Sequence, residues 1–431
     1  MSSSTGSKIN FIFLAIVVFL ILIGNKTYDY NVSEQAIDGG DTAWMLVSSA
    51  FVLLMTPGLA FFYGGMVNVK NIISTMLQSF VALGVITVVW VFVGFSLSFG
   101  DSIYGIIGNP TTFLFFENVT LAPNPEYGPT IPFLLFAFFQ LKFAIITPAL
   151  ISGSFAERIR FRSYILFMLL FTLLIYTPLA HMTWHPEGLF RRWGVIDFAG
   201  GTVVHMSAGL AALAGALFLG KRKTIIEKPA NIPFVILGTG LLWFGWFGFN
   251  AGSALGANFD AVVAFANTNV ASATSMITWI FFDRFTNRKM SAIGACIGAI
   301  VGLVAITPAA GVVTLGQSMF IGFVAALISN LAIRLFRKLN IDDTLDVFPS
   351  HGIGGITGMI LTALFASEVG LIYGETETFV MHLVAILLVV VYTLAMSYFL
   401  FKIVNLITPL RVREDQEERG LDASQHGEHF L

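Results

Sequence analysis

The chain contains little cysteine and little charge. Of its 431 residues only Cys296 is a cysteine, and 11% are Asp, Glu, Lys or Arg. A single thiol excludes an internal disulfide framework and leaves no thiol cluster for zinc or an iron–sulfur centre. The formal net charge of -2 gives no electrostatic basis for binding nucleic acid. We therefore expect no metal, no cofactor and no nucleic-acid partner.

What the chain has in abundance is apolar sequence. Hydrophobic residues make up 56% of it and the mean hydropathy is +0.83, which is typical of an all-α polytopic membrane protein. A helix needs roughly 20 mostly apolar residues to cross the hydrocarbon core. Eleven such runs are predicted, near residues 43–63, 72–99, 131–155, 163–181, 198–219, 231–252, 260–282, 290–307, 312–336, 349–367 and 379–407.

The two ends of the chain differ from this central region. Residues 1–24 carry Lys8 before an apolar stretch, like a signal sequence or an extra hydrophobic leader. A transmembrane domain is predicted over residues 41–407, and a charged tail over residues 408–431. Whether the leader is cleaved or retained, Asp41 lies outside.

Basic residues indicate the orientation. With an odd number of spans and an outside start, alternate loops collect most of the 23 Lys and Arg residues. That side is cytoplasmic by the positive-inside rule, so we expect the C-terminus inside, in a cell (plasma or inner) membrane. These residues are Lys70, Arg158, Arg160, Arg162, Lys221, Arg222, Lys223, Lys228, Arg284, Arg288, Lys289, Arg334, Arg337, Lys338, Lys402, Arg411, Arg413 and Arg419.

Two histidines lie within apolar segments, and each follows an aspartate by eight residues: Asp197 precedes His205, and Asp343 precedes His351. Ionisable residues inside spans usually mark a path for ions, protons or substrate. The topology runs the two segments in opposite directions, which fits inverted five-helix repeats. If the aspartates mark the two edges of a core of about 30 Å, each histidine lies about 12 Å deeper and the pair are about 6 Å apart.

Small residues surround both histidines and form a further stripe at Gly294, Gly298 and Gly302. Small faces let membrane helices approach closely. The sequence therefore predicts a narrow, mostly apolar pathway rather than a wide aqueous vestibule.

Several blocks of this sequence resemble ammonium transporters of the Amt/Mep/Rh superfamily, on the Amt side. They are DFAGGTVVH at 197–205, PGLAFFYGG at 57–65, AERIR at 156–160, GWFGFNAGS at 245–253 and HGIGG at 351–355. The tail blocks EERGLD and HGE, at 417–422 and 426–428, resemble the tail of bacterial and archaeal members.

The resemblance implies a homotrimer that carries ammonium, ammonia and methylammonium, with one pore per protomer and no enzymatic activity. It also implies a PII-type regulatory partner at the cytoplasmic tail. The expected external binding residues are Trp184, Ser253, Phe139 as the aromatic gate, and Ala199 through its carbonyl. The expected pore residues are His205, His351 and Phe249, the last stacked beneath Phe139; Asp197 and Asp343 stabilise the mouths.

Each role has a structural alternative. The phenylalanines belong to a set of 43 and suit core packing, and the aspartates suit helix N-termini. Ser253 suits back-bonding within a helix, and either histidine suits an interhelical hydrogen bond. Lys142, three residues after Phe139, is interpreted as a snorkelling or ion-paired lysine, the alternative being a charge that tunes access to the pore.

Two other functions remain open at this point. One is an ammonium sensor with a transporter-like fold, which an ammonium-jump current distinguishes from a transporter. The other is a redox enzyme with His205 and His351 as haem ligands, although the glycine-rich surroundings leave little space for a macrocycle.

Overall fold

The computed structural model describes residues 37–223 and 228–430, together with Val18. The predicted leader, apart from Val18, lies outside the described residues. Within them the chain is mostly helical, and ten helical spans are long and apolar enough to cross a membrane. The chain is therefore a multi-pass membrane protein, as the composition predicts.

The first half of the chain, from residue 37 onward, contains eight helices. They are α1 (Gly39–Met66), α2 (Ile72–Val89), α3 (Phe95–Phe99), α4 (Phe133–Ile151), α5 (Phe161–Phe171), α6 (Thr177–Trp184), α7 (Leu189–Arg192) and α8 (Ser207–Leu219). One π-helical turn, Trp90–Gly94, joins α2 to α3, and another, Thr172–Tyr176, joins α5 to α6. These turns keep each pair of helices in one continuous span.

The second half has seven further helices. They are α9 (Ile232–Ala251), α10 (Phe259–Phe285), α11 (Ala292–Ile306), α12 (Leu315–Leu339), α13 (Gly354–Phe365), α14 (Thr376–Ile407) and α15 (Glu414–Arg419). Short strands occur only between α3 and α4 in the described ranges: β1 (Ser102–Ile103) pairs with β2 (Ile107–Gly108), and β3 (Pro123–Asn124) with β4 (Gly128–Pro132).

Helix α10 occupies the seventh predicted span but falls outside the ten by composition. Its buried face is polar: Ser272 and Ser275 donate to carbonyls of α11, to Ala299 at 3.0 Å and Gly298 at 2.6 Å. These bonds are possible because α11 presents glycine to α10. A Cβ at Gly302 would lie 2.6 Å from the carbonyl oxygen of Ala271. The predicted close-packing stripe on α11 is confirmed.

The two halves of the chain meet backbone to backbone beside the histidines. A Cβ on Gly209 in α8 would lie 2.1 Å from the backbone nitrogen of Gly352, far inside van der Waals contact. Only glycine allows this approach, and it fixes how near the segments that carry His205 and His351 come to one another.

A charged cluster joins three connections on the tail side of the protein. Arg222 binds Glu157 and Asp342, with both ion pairs at 2.8 Å. Fully buried Arg158 donates to the carbonyl of Asp342 and the hydroxyl of Thr344, both at 2.6 Å. Burial by itself raises the pKa of Asp342, but the hydrogen bonds from Arg222 and the two guanidinium charges outweigh it and hold that pKa below its ordinary value.

Replacing Arg222 with Met tests this cluster. The change leaves Glu157 and Asp342 buried without their cation, so we expect the free energy of unfolding to fall by about 3 kcal/mol. Because the pKa of Asp342 is lowered by folding, its contribution is complete above the unfolded value of about 3.9 and is lost as pH falls through the folded value. The difference in the free energy of unfolding between wild type and Arg222→Met should therefore become smaller at acidic pH.

Thermal unfolding in detergent across a pH series measures both effects. The matched control is Lys223→Met, which removes the adjacent ion pair with Glu414, where both side chains are more than half exposed. Exposed pairs contribute little, so its unfolding midpoint should not change. Equal midpoints for wild type and Arg222→Met would contradict the assignment.

Candidate functional site

The site is built around two π-helical segments, Gly201–Met206 and Phe348–Ile353, which carry the two histidines. The side chain of Asp197 caps the start of the first segment. Its carboxylate accepts from the backbone of Gly200, Gly201 and Thr202 at 2.8, 2.6 and 2.7 Å, and from the Thr202 hydroxyl at 2.5 Å. These donors would otherwise be unsatisfied at a helix start, so the capping interpretation of Asp197 is confirmed.

Asp343 has the same role at the second segment. Its carboxylate accepts from the backbone N–H of Phe348 at 2.7 Å, at the start of the π-helical turn. Both aspartates are 6% exposed. The mirrored Asp and His spacing in the sequence thus corresponds to two capped helix starts, one in each half of the chain.

His205 and His351 are in direct contact. Their Nδ1 atoms are 3.3 Å apart and their ring centroids 5.4 Å apart. The two residues are 1% and 4% exposed. The close approach predicted from the spacing is confirmed.

Thr307 determines which nitrogens carry the protons. Its hydroxyl donates to the carbonyl of Leu303 at 2.8 Å, so toward His205 Nε2, at 3.3 Å, it accepts. His205 is then protonated on Nε2, and its Nδ1 lone pair accepts from Nδ1–H of His351. The arrangement leaves the Nε2 lone pair of His351 as the acceptor of the pair.

Trp246 completes this arrangement. Its indole N–H donates to the Thr307 hydroxyl at 3.0 Å, and its ring stacks on His205 with centroids 5.4 Å apart. Sequence reasoning assigned neither residue to the site. Trp246 lies inside one of the blocks that carry the family resemblance, whereas nothing in the sequence around Thr307 distinguishes it.

An aromatic pair lies beside the histidines. The Phe143 ring contacts Phe249 with centroids 4.2 Å apart, and Phe249 in turn is 6.0 Å from His205. The ring in contact with Phe249 is therefore Phe143 and not the predicted Phe139, which lies one helical turn earlier. Residues i and i+4 share a helix face, so spacing alone does not choose between them. Phe139 is fully buried behind, with its ring 5.0 Å from Phe143.

Lys142 points away from this pair. It precedes Phe143 by one residue, about 100° around the helix, and its Nζ lies 5.5 Å from the centroid of the Phe138 ring. The side chain is half-buried. This position agrees with the snorkelling interpretation.

Two cavities flank the aromatic and histidine pairs. The wide cavity has a volume of about 510 Å³ and is lined by Gln140, Phe143, Trp184, Asp197, Phe198 and Ser253 among others. The narrow cavity, about 10 Å³, holds about one water-sized sphere and is lined by residues that include Tyr63, Ser350 and His351. The contacts Phe143–Phe249–His205–His351 connect one to the other.

Of the predicted external binding residues, Trp184 and Ser253 lie at the wide cavity and Ala199 lies next to it. The indole N–H of Trp184 donates to the carbonyl of Asp197 at 3.1 Å, which fixes the ring at the cavity wall. Ser253 donates to the carbonyl of Phe249 at 2.9 Å, so its hydroxyl back-bonds within the helix and also lines the cavity. Ala199 is fully buried two residues after Asp197.

No group of three or more His, Cys, Asp or Glu side chains in residues 37–223 and 228–430 has the arrangement of a metal site. The histidine pair is engaged with itself, Thr307 and aromatic rings. The remaining lone pair of His351 is suited to accept a hydrogen bond from a small molecule with N–H groups.

Comparisons with known proteins identify the family. Residues 43–430 match the model of the Ammonium Transporter Family. An ammonium transporter from Aquifex aeolicus is 45% identical over 403 residues, covering 92% of this chain and 94% of the relative. The crystal structure of Saccharomyces cerevisiae Mep2 has a TM-score of 0.83 at 34% identity, covering 89% of both chains. A structure titled Sensor Amt Protein has a TM-score of 0.84 at 29% identity and covers 90% of this chain and 98% of that one. The chain belongs to the ammonium transporter family.

Proposed function

We propose that this transporter takes ammonium into the wide cavity and passes it as ammonia between Phe143 and Phe249 and along His205 and His351, with the imidazole pair accepting the proton. The observation that carries the proposal is the unbroken series of contacts from the wall of one cavity through the two histidines to the other. The chain is a transporter and not an enzyme, so these residues bind and conduct rather than convert the substrate.

Energetics favour passage of the neutral form. Moving a bare ammonium-sized ion into an apolar medium costs on the order of 20 kcal/mol in the idealised Born estimate, and several kcal/mol after relaxation. Deprotonating an amine with a pKa of roughly 9 to 10 costs about 3 to 4 kcal/mol at neutral pH. Potassium has no proton to lose, so a dry constriction rejects it while ammonium has a cheaper route.

Recruitment requires groups that replace part of the hydration of the cation. The indole face of Trp184 offers a cation–π contact, with the Ser253 hydroxyl and the carbonyl of Ala199 as nearby dipoles. Asp197 acts differently. A carboxylate has about four lone-pair sites, and four donors already occupy those of Asp197, so it stabilises the mouth and the incoming charge through its field without direct contact.

The gate is assigned to Phe143 over Phe249, with Phe139 supporting it from behind. Beyond the gate, the Nε2 lone pair of His351 is the acceptor that a neutral ammonia needs for one of its hydrogens. A proton taken from ammonium would bind at that same lone pair, with the Nδ1–H of His351 moving to Nδ1 of His205 in exchange.

The topology proposed is eleven spans in two inverted five-helix repeats with a homotrimeric assembly. Helix α10 supplies the additional span, since its 27 residues measure about 40 Å at 1.5 Å per residue. An odd number of spans places the ends on opposite sides, and the basic loops place the C-terminus in the cytoplasm of a cell with this protein in its cell membrane.

The tail packs on the first turns of helices α2 and α5 of its own chain. The carboxylate of Asp422 accepts from the backbone of Ile73 and Ser74 at 3.1 and 2.7 Å, and the side-chain oxygen of Gln425 accepts from Phe161 N–H at 2.8 Å. A regulatory protein that binds the tail side thus reaches the starts of two spans. This supports the proposal of a PII-type partner there.

A second candidate function is ammonium sensing, favoured by the likeness to the structure titled Sensor Amt Protein. Sensing without transport predicts no sustained current when ammonium is added to reconstituted protein on a supported membrane. Transport with separate proton and ammonia routes predicts a current that scales with the ammonium gradient.

Replacing His205 and His351 together with alanine tests the pore. Ammonia then loses its buried acceptor, and we expect ammonium turnover to fall about tenfold or more, with weaker discrimination against potassium. Ammonium-jump currents and potassium currents in the same vesicles measure both. If turnover and selectivity equal those of the wild type, the pore assignment is wrong.

The gate assignment separates two neighbouring phenylalanines. Phe143→Ala removes the ring that contacts Phe249, so we expect altered ammonium selectivity and faster entry of methylammonium than in wild type. Phe139→Ala removes a ring of the same size one turn away. It should mainly lower the free energy of unfolding, by about 3 kcal/mol or more as for other buried phenylalanines. The reverse pattern in methylammonium uptake would return the gate to Phe139.

Assembly and regulation are tested with the purified protein. Light scattering in detergent should give a protein mass three times the 46.9 kDa of one chain. A PII-type protein should reduce the ammonium current of the full chain and have no effect on a chain that ends before Glu414. A monomeric mass, or equal block of both chains, would contradict these proposals.

A further inference from the structure

A further buried histidine, His382, contacts the wall of the wide cavity from behind. It lies in the second turn of α14 and is fully buried, although α14 is the least buried of the ten spans. Its Nε2 is 3.0 Å from the backbone nitrogen of Ile196 and 3.2 Å from the carbonyl oxygen of the same residue. The contact joins positions 186 residues apart in the sequence.

Ile196 belongs to an irregular segment, residues 195–200, between α7 and the π-helical turn with His205. Val195, Ile196, Asp197 and Phe198 all line the wide cavity. Backbone without regular structure needs partners from elsewhere in the protein at membrane depth. Val195 N–H donates to the carbonyl of Phe190 at 3.0 Å, and Phe198 N–H to the carbonyl of Pro308 at 3.1 Å. Between these two anchors, His382 is the partner of Ile196.

The other ring nitrogen establishes how His382 binds. Nδ1 faces the carbonyl of Thr378 at 2.7 Å, and a carbonyl only accepts, so Nδ1 carries the proton. Nε2 of the neutral ring therefore accepts the N–H of Ile196. The imidazole spans from the first turn of α14 to the cavity wall with both nitrogens in use.

The position of Ile196 is transmitted to the groups that meet the cation. The next residue is Asp197, whose carbonyl accepts from the Trp184 indole at 3.1 Å and whose carboxylate begins the segment with His205. A shift of the Ile196 backbone thus moves the Trp184 ring and the Asp197 charge together. The Phe143, Phe249 and His351 rings are held by other elements.

We propose that His382 is a positioning residue for ammonium recruitment: by binding the Ile196 backbone it fixes the wall that carries Asp197 and the Trp184 ring. This inference rests on the proposed function of that wall as the recruitment site. Because the contact acts on binding and not on the passage between the histidines, its loss should weaken apparent affinity and spare turnover.

Initial rates of ammonium-driven current in proteoliposomes, measured over a range of ammonium concentrations, test the proposal. His382→Leu keeps side-chain volume but leaves the Ile196 N–H unpaired, so we expect KM to rise about tenfold with kcat changed less than about twofold. His382→Gln should restore KM to within about threefold, because a glutamine amide can accept from the Ile196 N–H and donate to its carbonyl.

Two further variants separate positioning from folding. His382→Asn places an amide near the Thr378 carbonyl but is too short to reach Ile196, so it should behave like His382→Leu in KM while keeping a polar buried side chain. The matched control is Thr393→Val on the same helix. Thr393 is fully buried and its hydroxyl has no hydrogen-bond partner within the described ranges, so this change should leave KM and kcat as in wild type.

Unchanged KM in His382→Leu or His382→Asn would overturn the inference, and so would a His382→Gln variant as impaired as these two. If kcat falls in proportion to the amount of folded protein, His382 has a general structural role, and this result would also overturn the inference. Trp184→Leu is measured alongside. If Trp184→Leu also leaves KM unchanged, the proposed recruitment site fails; if only the His382 variants leave it unchanged, recruitment stands and this inference fails.

Discussion

Inside a bilayer every backbone N–H and C=O must find a partner within the protein, because hydrocarbon offers none. This constraint explains the most polar features of the described spans. Asp197 lies buried because the start of the turn Gly201–Met206 presents donors that only an acceptor at that place can satisfy. Asp343 does the same for Phe348. These two buried aspartates are therefore first a requirement of starting helices within the protein, and the proposed function adds a second use for their charge.

Close packing converts these two helix starts into a site. Gly209 and Gly352 allow the segments to touch through their backbones, and this approach brings the imidazole Nδ1 atoms to 3.3 Å. A methyl group at Gly209 would require a shift larger than the tolerance of that hydrogen bond. The close approach that Gly209 and Gly352 allow is thus the reason that the two histidines form a hydrogen bond. The same packing leaves a narrow cavity beside His351.

Much of this was available from the sequence because it depends on periodicity and spacing. The spans and a histidine separation of about 6 Å follow from rise per residue and core thickness, and the capped aspartates follow from the preference of aspartate for helix N-termini. The ring in contact with Phe249 is Phe143 and not the predicted Phe139, because the two phenylalanines share a helix face and only the position of Phe249 on α9 chooses between them. Thr307 and His382 were not identified because their contacts join residues 102 and 186 positions apart, which no local pattern records.

Three buried imidazoles near the path differ in what they leave free, and this difference separates their roles. His382 commits one nitrogen to Thr378 and the other to Ile196. His205 commits Nε2 to Thr307 and Nδ1 to His351. With these tautomers, the Nε2 lone pair of His351 is the one nitrogen acceptor of the three rings that ammonia can use. Burial alone therefore does not separate the roles of these histidines. In the proposed function the uncommitted lone pair of His351 makes it the conducting residue, and the fully committed rings hold the walls and the tautomer on which that lone pair depends.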